Sequence, residues 1–260
     1  MLMEHVLGKE QIDLYANADR VASDEELKTL RSFVKRTLKN EPVQYIVGKA
    51  WFFGTKLNVD KSTLIPRTCT ETIIEQTVRY CADIDNASGT HRIADIGTGS
   101  GCIAITLANT IPNCHITATD ISQDALCLAQ ENAKAHNVEH RIHFLQGDCG
   151  APINSLQPFN VICSNPPYIP EHELSGLDPN VRDWEPRVAL SGGGDGLEVI
   201  RPLVETTSNC LVSGGMLIIE IATSTQEQVL QLALASSFLQ DQVILKDQFG
   251  DDRFLRATRI

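Results

Sequence analysis

The sequence has no apolar run approaching the ~18 residues that a membrane-crossing helix needs. Its opening stretch, MLMEHVLGKEQIDLYA, lacks a basic start followed by an apolar core, so it does not read as a secretory leader. It also lacks paired cysteines. The eight cysteines stand at 69, 81, 102, 114, 127, 149, 163 and 210, and no two form a C-x-x-C pair, which argues against a structural zinc site. Cys102, Cys127 and Cys163 fall within apolar runs, where a free thiol behaves as a small hydrophobe. Reduced thiols and a cytoplasmic location are the expectation. Positive charge is scarce as well. The formal net charge is −11, which opposes binding to nucleic acid unless the basic residues cluster. The densest basic run, KTLRSFVKRTLK (28–39), has apolar positions between its charges and reads as the wet face of an amphipathic helix. There is no G-x-S-x-G and no obvious Ser/His/Asp set. No lysine follows the glycines at 192–194, so they read as a loop rather than a phosphate cradle. His136, His140 and His143 have a helical spacing, but Asn137–Glu139 reads as a break between helix and strand, and no metal is expected there.

What is present is an ordinary globular composition, 42% apolar and 21% charged in 260 residues. The length suits one large domain, or one with a small companion. The first ~40 residues carry helical periodicity. Ser23 and Glu26 form a capping box for a helix through about Leu38. Val43–Pro66, rich in aromatic and β-branched residues with Gly48 and Gly54 as turns, reads as a short hairpin. Beyond about Thr70, strands alternate with helices. Strands are expected at 91–97, 115–120, 141–148, 159–164 and 215–222. Helices are expected at 101–109, from Ser122 to about 136, at 197–211 and at 224–235. This alternation predicts an α/β fold, a mostly parallel sheet with helices on both faces. Two final strands, 242–248 and 253–259, have no helix between them and should pair antiparallel. The implied division is a helical N-terminal domain over 1–42, a hairpin linker over 43–66 and the α/β domain over 67–260.

ADIGTGSGC (94–102) joins the first strand of that pattern to its helix. Gly97, Gly99 and Gly101 permit a tight turn and close approach of backbone to a ligand. Crevices beyond strand ends are where open sheets bind ligands. A dinucleotide fingerprint would put its third glycine where Cys102 stands. Asp95 precedes the loop, and a carboxylate there suits an ammonium and a sulfonium better than a pyrophosphate. S-adenosylmethionine meets those demands. Gly97, Thr98, Gly99, Ser100 and Gly101 would cradle it. Asp120, ending the next strand, is placed for the ribose hydroxyls. Asp148, ending the third, is placed near the adenine. Taken alone, the loop also admits a ligand-free strand–helix turn, the less favoured of the two readings.

VICSNPPYIP (161–170) raises a sharper question. An apolar strand stops at Pro166 and Pro167, which cannot continue a ladder, and it leaves Asn165 on stiff backbone beside the same crevice. A planar –NH₂ acceptor has a delocalised lone pair and two N–H donors. The Asn165 side-chain oxygen and the Pro166 carbonyl would accept both and aim the nitrogen at a methyl group. Tyr168 would pack on the acceptor's flat face. Trp51, Phe52 and Phe53 read mainly as core packing of the hairpin, with the target pocket as the other possibility.

The chain closely resembles the peptide chain release factor glutamine methyltransferases, the HemK/PrmC type. EPVQYIVGKAWFFG, LIPR, DIGTGSGCIAITLA, the D-I-S…A-L…A…N-A stretch, SNPPYIP, WEPRVALSGGGDGL and GDDR carry the likeness over nearly the whole length. NPPY alone is shared with DNA adenine methyltransferases. The resemblance implies a class I (Rossmann-like) methyltransferase with a seven-stranded sheet behind a small helical N-terminal domain. It implies N5-methylation of the glutamine in the Gly-Gly-Gln loop of release factors, by a monomer that binds neither membrane nor nucleic acid. By position, Asp148 and Cys149 would border the adenine, and Asn165, Pro166, Pro167 and Tyr168 would bind the target glutamine. The sequence departs from the family in three places. Thr68 and Cys69 stand where proline and an acid are usual. Cys149 replaces a larger residue. MLMEHVLGK resembles the second helix of the usual N-terminal domain. Glutamine methylation of another protein, such as a ribosomal protein, adenine-N6 methylation, and a non-enzymatic cofactor-binding module are the rival readings.

Overall fold

The computed structural model describes residues 1–84 and 89–260. Three helices come first: α1 (Leu2–Leu7), α2 (Gln11–Ala16) and α3 (Asp24–Thr37). The capping box expected at α3 is present, with Glu26 N–H donating to Ser23 Oγ and Ser23 N–H to the Glu26 carboxylate. Val43–Pro66 is not all hairpin. Its first residues form a one-turn helix, α4 (Val43–Val47), because Pro42 can precede a helix and Gly48 ends it in the left-handed conformation. The hairpin itself is β1 (Lys49–Phe52) and β2 (Thr55–Asn58), turned at Phe53–Gly54. A helix that the strand–helix pattern overlooked follows, α5 (Glu71–Asp83), burying Ile73, Ile74, Thr77 and Cys81 at helical spacing.

The rest of the chain is β3 (His91–Ile96), α6 (Cys102–Thr110), β4 (Cys114–Asp120), α7 (Gln123–Ala135), β5 (Ile142–Gln146), β6 (Phe159–Ser164), α8 (Pro179–Arg182), α9 (Ile200–Thr207), β7 (Leu211–Glu220), α10 (Gln226–Leu234), β8 (Leu239–Lys246) and β9 (Asp252–Arg259). The short α8 had no sequence signal beyond the Pro179 that opens it, and the helix expected at 197–211 is shorter than its pattern. The seven strands run β5-β4-β3-β6-β7-β9-β8, all parallel except β9, which lies antiparallel between β7 and β8.

Period-2 alternation divides the core. On β3 and β7, Ile93, Met216 and Ile218 face one cluster with α5, α6 and the hairpin's Phe52 and Leu57. Ala94, Leu217 and Ile219 face the other, with Leu203 and Val204 of α9 and Val229 of α10. Both faces of the sheet are therefore covered, as a parallel sheet requires. A third, smaller cluster (Tyr45, Ala50, Val59 and Ile65, with Trp184 against it) fastens the hairpin region to the α/β body. Strand order reverses at β3, whose neighbours β4 and β6 lie on opposite sides. A crevice opens beyond the carboxyl ends at such a switch point. Among the described residues no helix is long and apolar enough to cross a membrane.

Candidate active site

The glycine loop leaves β3 and bends at once. Gly97, Gly99 and Gly101 all have positive φ (73°, 56° and 80°), a region that side-chain-bearing residues rarely enter. At Gly101 the reason is also packing: an added Cβ would stand 2.9 Å from Ile105 Cδ1 and 3.2 Å from Ala129 Cβ. The loop is pinned from one side by Gly97 and Thr98 N–H donating to Thr119 O. On the other side, Gly99 N–H donates to Asp120 Oδ2 at 2.8 Å. The other Asp120 oxygen accepts from Ser122 N–H at 2.9 Å. Burial raises the Asp120 pKa, while these backbone donors lower it.

A cavity of about 240 Å³ opens against this loop. Gly97, Thr98, Gly99 and Ser100 line one wall, and Asp120, Asp148 and Cys149 line another with Ile121, Val199 and Leu203. Ser164, Asn165, Pro166 and Pro167 close a third side, and Arg67, Thr70 and Val188 a fourth. Cys149 holds a positive φ of 46° and donates its thiol to Asp148 Oδ1 at 3.2 Å. Burial and the Asp148 carboxylate push that thiol up to about 12, so it stays protonated at neutral pH.

Gly101 and Asp95 are expected site residues that do not line the cavity. Gly101 turns its face to α6 and α7. Asp95 is fully buried beneath the loop, where Oδ2 accepts from Thr98 Oγ1 at 2.7 Å and Ala104 N–H at 3.1 Å. Its role as seen here is to brace the loop, not to present an exposed carboxylate. Its Oδ1 is buried without a partner among the described residues, as are Ser100 Oγ and Thr119 Oγ1 on the cavity wall.

Tyr168 also departs from expectation. It does not line the cavity but packs with the α9/α10 cluster and donates its hydroxyl to Glu220 Oε1 at 3.0 Å. The Tyr168 hydroxyl is held by Glu220, while Asn165 stays on the cavity wall. Phe52 alone of the three hairpin aromatics is core; Trp51 and Phe53 are exposed, and none of them lines the cavity.

The segment after the prolines is clamped by the GGGDG loop. Ile169 N–H donates to Leu190 O, and Gly192 N–H donates back to Ile169 O. A Cβ at Gly196 would lie 2.6 Å from Tyr168 O, so this loop needs glycine to approach so closely.

Several residues of the site had no role assigned from sequence, though Thr70 and Glu71 match the family's pattern after LIPR. Thr70 Oγ1 donates to Glu220 Oε2 at 2.6 Å and lies 3.1 Å from Asn165 Nδ2. Glu220 is a carboxylate inside the apolar run GMLIIEIA, and that alone was a signal, since buried charge needs partners. Asn132 of α7 donates to Ser100 O and to Asn58 O and accepts from Asn58 N–H, tying the glycine loop to the hairpin. Glu185 accepts from Arg67, which lines the cavity, and from Ile65 N–H. Glu71 accepts from Phe53 N–H at the hairpin turn.

Comparison with known proteins follows this geometry. Residues 1–48 match the model of the PrmC N-terminal domain, and residues 80–177 match that of the methyltransferase small domain. The release factor glutamine methyltransferase of Geobacter sulfurreducens is 39% identical over 252 residues, spanning 97% of this chain and 85% of that protein. The protein of the same name from Chlorobaculum tepidum is 40% identical over 248 residues, spanning 94% and 84%. Among solved structures, the ribosomal protein L11 methylase of Lactobacillus delbrueckii subsp. bulgaricus superposes with a TM-score of 0.52 at 20% identity, covering 77% of this chain and 83% of that one, a likeness of fold. The chain belongs to the release factor glutamine methyltransferase family.

Proposed function

We propose that this chain transfers the methyl group of S-adenosylmethionine to the side-chain amide nitrogen of the glutamine in the Gly-Gly-Gln loop of peptide chain release factors. The observation that carries this reading is the place of Asn165. It stands on the wall of the cavity beside the glycine loop, with its Nδ2 held by Thr70 and its oxygen left to accept.

The residues present fit the methyl donor. Gly97, Thr98, Gly99 and Ser100 line the cavity, and the positive φ of Gly97 and Gly99 lets the loop backbone approach a ligand closely. Asp120 uses one lone pair on each oxygen and keeps others for a diol. Ile121, Val199, Leu203 and Cys149 offer an apolar slot of the kind an adenine ring fills. Asp95 braces the loop on which the methionine part would lie, through Thr98 Oγ1 and Ala104 N–H. When bound, the donor supplies an electrophilic methyl group on sulfur.

The chain's own work is positioning. An amide nitrogen is a weak nucleophile because its lone pair is delocalised. Asn165 Oδ1 and the Pro166 carbonyl would accept its two N–H bonds and fix it in line with the methyl group. Positioning of this kind supplies up to ~7–11 kcal/mol in favourable cases. The C–N bond forms as the S–C bond breaks, and the proton leaves afterwards from the methylated amide, so no base is needed before attack. Leu64, Pro66 and Val188 add apolar surface to the cavity lining. The acidity of the chain, −11 overall, supports a protein rather than a nucleic-acid substrate. The enzyme acts as a monomer in the cytoplasm on this reading.

The test is transfer of label from S-adenosylmethionine to a purified release factor and to its Gln→Ala loop variant. Label on the first only is expected. Label on neither, with the donor still bound, sinks the release-factor reading and favours another protein glutamine. Asn165→Ala is expected to bind the donor normally and to abolish transfer.

A further inference from the structure

Three segments meet behind Asn165. Thr70 precedes α5, Glu220 ends β7, and Asn165 follows β6. Glu220 is fully buried, and its carboxylate accepts from Thr70 Oγ1 (2.6 Å), the Tyr168 hydroxyl (3.0 Å) and the Cys69 thiol (3.8 Å). With Glu220 ionised, the form that three donors aimed at it favour, its carboxylate has no proton to give. Thr70 has one hydroxyl proton, and Glu220 takes it. Toward Asn165, 3.1 Å away, Thr70 therefore offers lone pairs only. The atom of Asn165 that meets Thr70 must then be its NH₂ group. The hydrogen-bond chemistry thus decides which end of the amide faces Thr70. The amide oxygen is left for the cavity that Asn165 lines.

We propose, on the reading of function given above, that Thr70 and Glu220 are positioning residues that set the direction of the Asn165 carboxamide, so that it presents an acceptor and not a donor to the substrate amide. The direction has a chemical consequence. A substrate –NH₂ group carries donors, and an Asn165 turned by half a rotation would oppose donor with donor. One proton controls which face is shown. With Glu220 protonated, its hydroxyl donates to Thr70, the Thr70 hydroxyl turns to donate to Asn165, and the amide reverses. The groups that face Glu220 from the packed elements favour its ionised form against the larger effect of burial: Cys69 and Thr70 before α5, Tyr168 after β6, and the Arg253 guanidinium on β9. Cys102 of α6 and, beyond Arg253, the Asp247 carboxylate complete its charged and titratable surroundings. Burial opposes them by raising the Glu220 pKa.

The experiment measures kcat, the Kd for S-adenosylmethionine and the orientation of the amide together. Thr70→Val keeps the shape and removes the hydroxyl; kcat is expected to fall about 30- to 100-fold, since a misdirected group of this kind costs of order 10²-fold. The donor Kd is expected to stay within about threefold, and Thr70→Ser to recover kcat to within about threefold of wild type. Glu220→Gln, which cannot ionise, is expected to lower kcat and to remove the acid limb of its pH profile. In wild-type protein, without any substrate, the Asn165 side-chain NH₂ protons should show a nuclear Overhauser effect to Thr70. That effect with no transfer to a release factor would leave the relay standing and sink the assigned substrate. Absence of the effect would overturn the relay. So would active wild type with an equally active Thr70→Val, or a kcat loss in that variant matched by its loss of donor binding.

Discussion

Glu185 pairs with Arg67, a residue of the cavity lining, with Arg67 Nη2 donating to Glu185 Oε1 at 2.5 Å. The carboxylate is nearly fully buried and takes Ile65 N–H on its other oxygen, while the guanidinium is about one-third exposed. Removing the buried partner leaves a backbone donor and a cation without an acceptor. Glu185→Ala is expected to lower stability by about 2–3 kcal/mol, below the full cost of breaking a buried pair because solvent screens Arg67. Glu185→Gln, which keeps the Ile65 contact, should lose less. Urea unfolding of the two variants checks this. Equal stability of Glu185→Ala and wild type would mean the bridge contributes nothing.

Asn132 has three hydrogen bonds and is 1% exposed, so its loss cannot be made good by water. Asn132→Ala is expected to cost about 2–4 kcal/mol, the sum of unpaired buried groups at Asn58 and Ser100. Asn132→Asp is expected to be worse than a mere swap of similar size, because its second oxygen would face the Asn58 and Ser100 carbonyls. The thermal midpoints of the two variants decide the point. An aspartate variant as stable as wild type would show that those carbonyls find other donors.

These two residues also show what the sequence could and could not reveal. The strands from 91 to 164 were legible because each is a short apolar run between turn residues, and period 2 then told which residues share a face. The glycine loop, Asp120 and Asn165 were legible because their neighbours in the chain are themselves unusual. Asn132 and Glu185 were not, since each serves a partner far away in sequence, Asn58 for one and Arg67 for the other. Tyr168 was expected on the acceptor's flat face, and its hydroxyl bonds Glu220. A turn made of two prolines fixes the backbone direction but says nothing of which way the next ring faces, and Glu220, more than fifty residues on, decides it. The helix at Val43–Val47 was read as strand because β-branched residues suit both when the segment is one turn long.

Asp120 is expected to govern affinity for the methyl donor. Its carboxylate fastens Gly99 and Ser122 and lines the cavity. Hydrogen bonds to a charged group are worth about 1.5–3 kcal/mol each. Asp120→Ala should therefore weaken S-adenosylmethionine binding by roughly 10- to 150-fold. Asp120→Asn should fall between, since it keeps one acceptor. Calorimetric titration reads both. A Kd unchanged in Asp120→Ala would remove this residue from the binding site.

Asp95 makes stability depend on pH in a direction opposite to that of a paired surface carboxylate. Burial raises its pKa from 3.8 to about 7, the Asp120 charge adds to the rise, and the Thr98 and Ala104 donors only partly offset it. Because the folded value lies above the unfolded one, the folded state holds the proton more tightly. The contribution to stability is complete below about pH 4 and is lost as pH rises toward 7. Between those values the slope approaches about 1.4 kcal/mol per pH unit. Asp95→Asn cannot ionise and lacks this term. The stability of wild type minus that of Asp95→Asn should fall by roughly 2–4 kcal/mol between pH 4 and pH 8. Urea unfolding at four pH values across that range measures it. Parallel curves for the two proteins would mean that Asp95 is not a buried, proton-holding carboxyl. A difference that grows with pH would mean that the loop donors outweigh burial and that the group is ionised throughout.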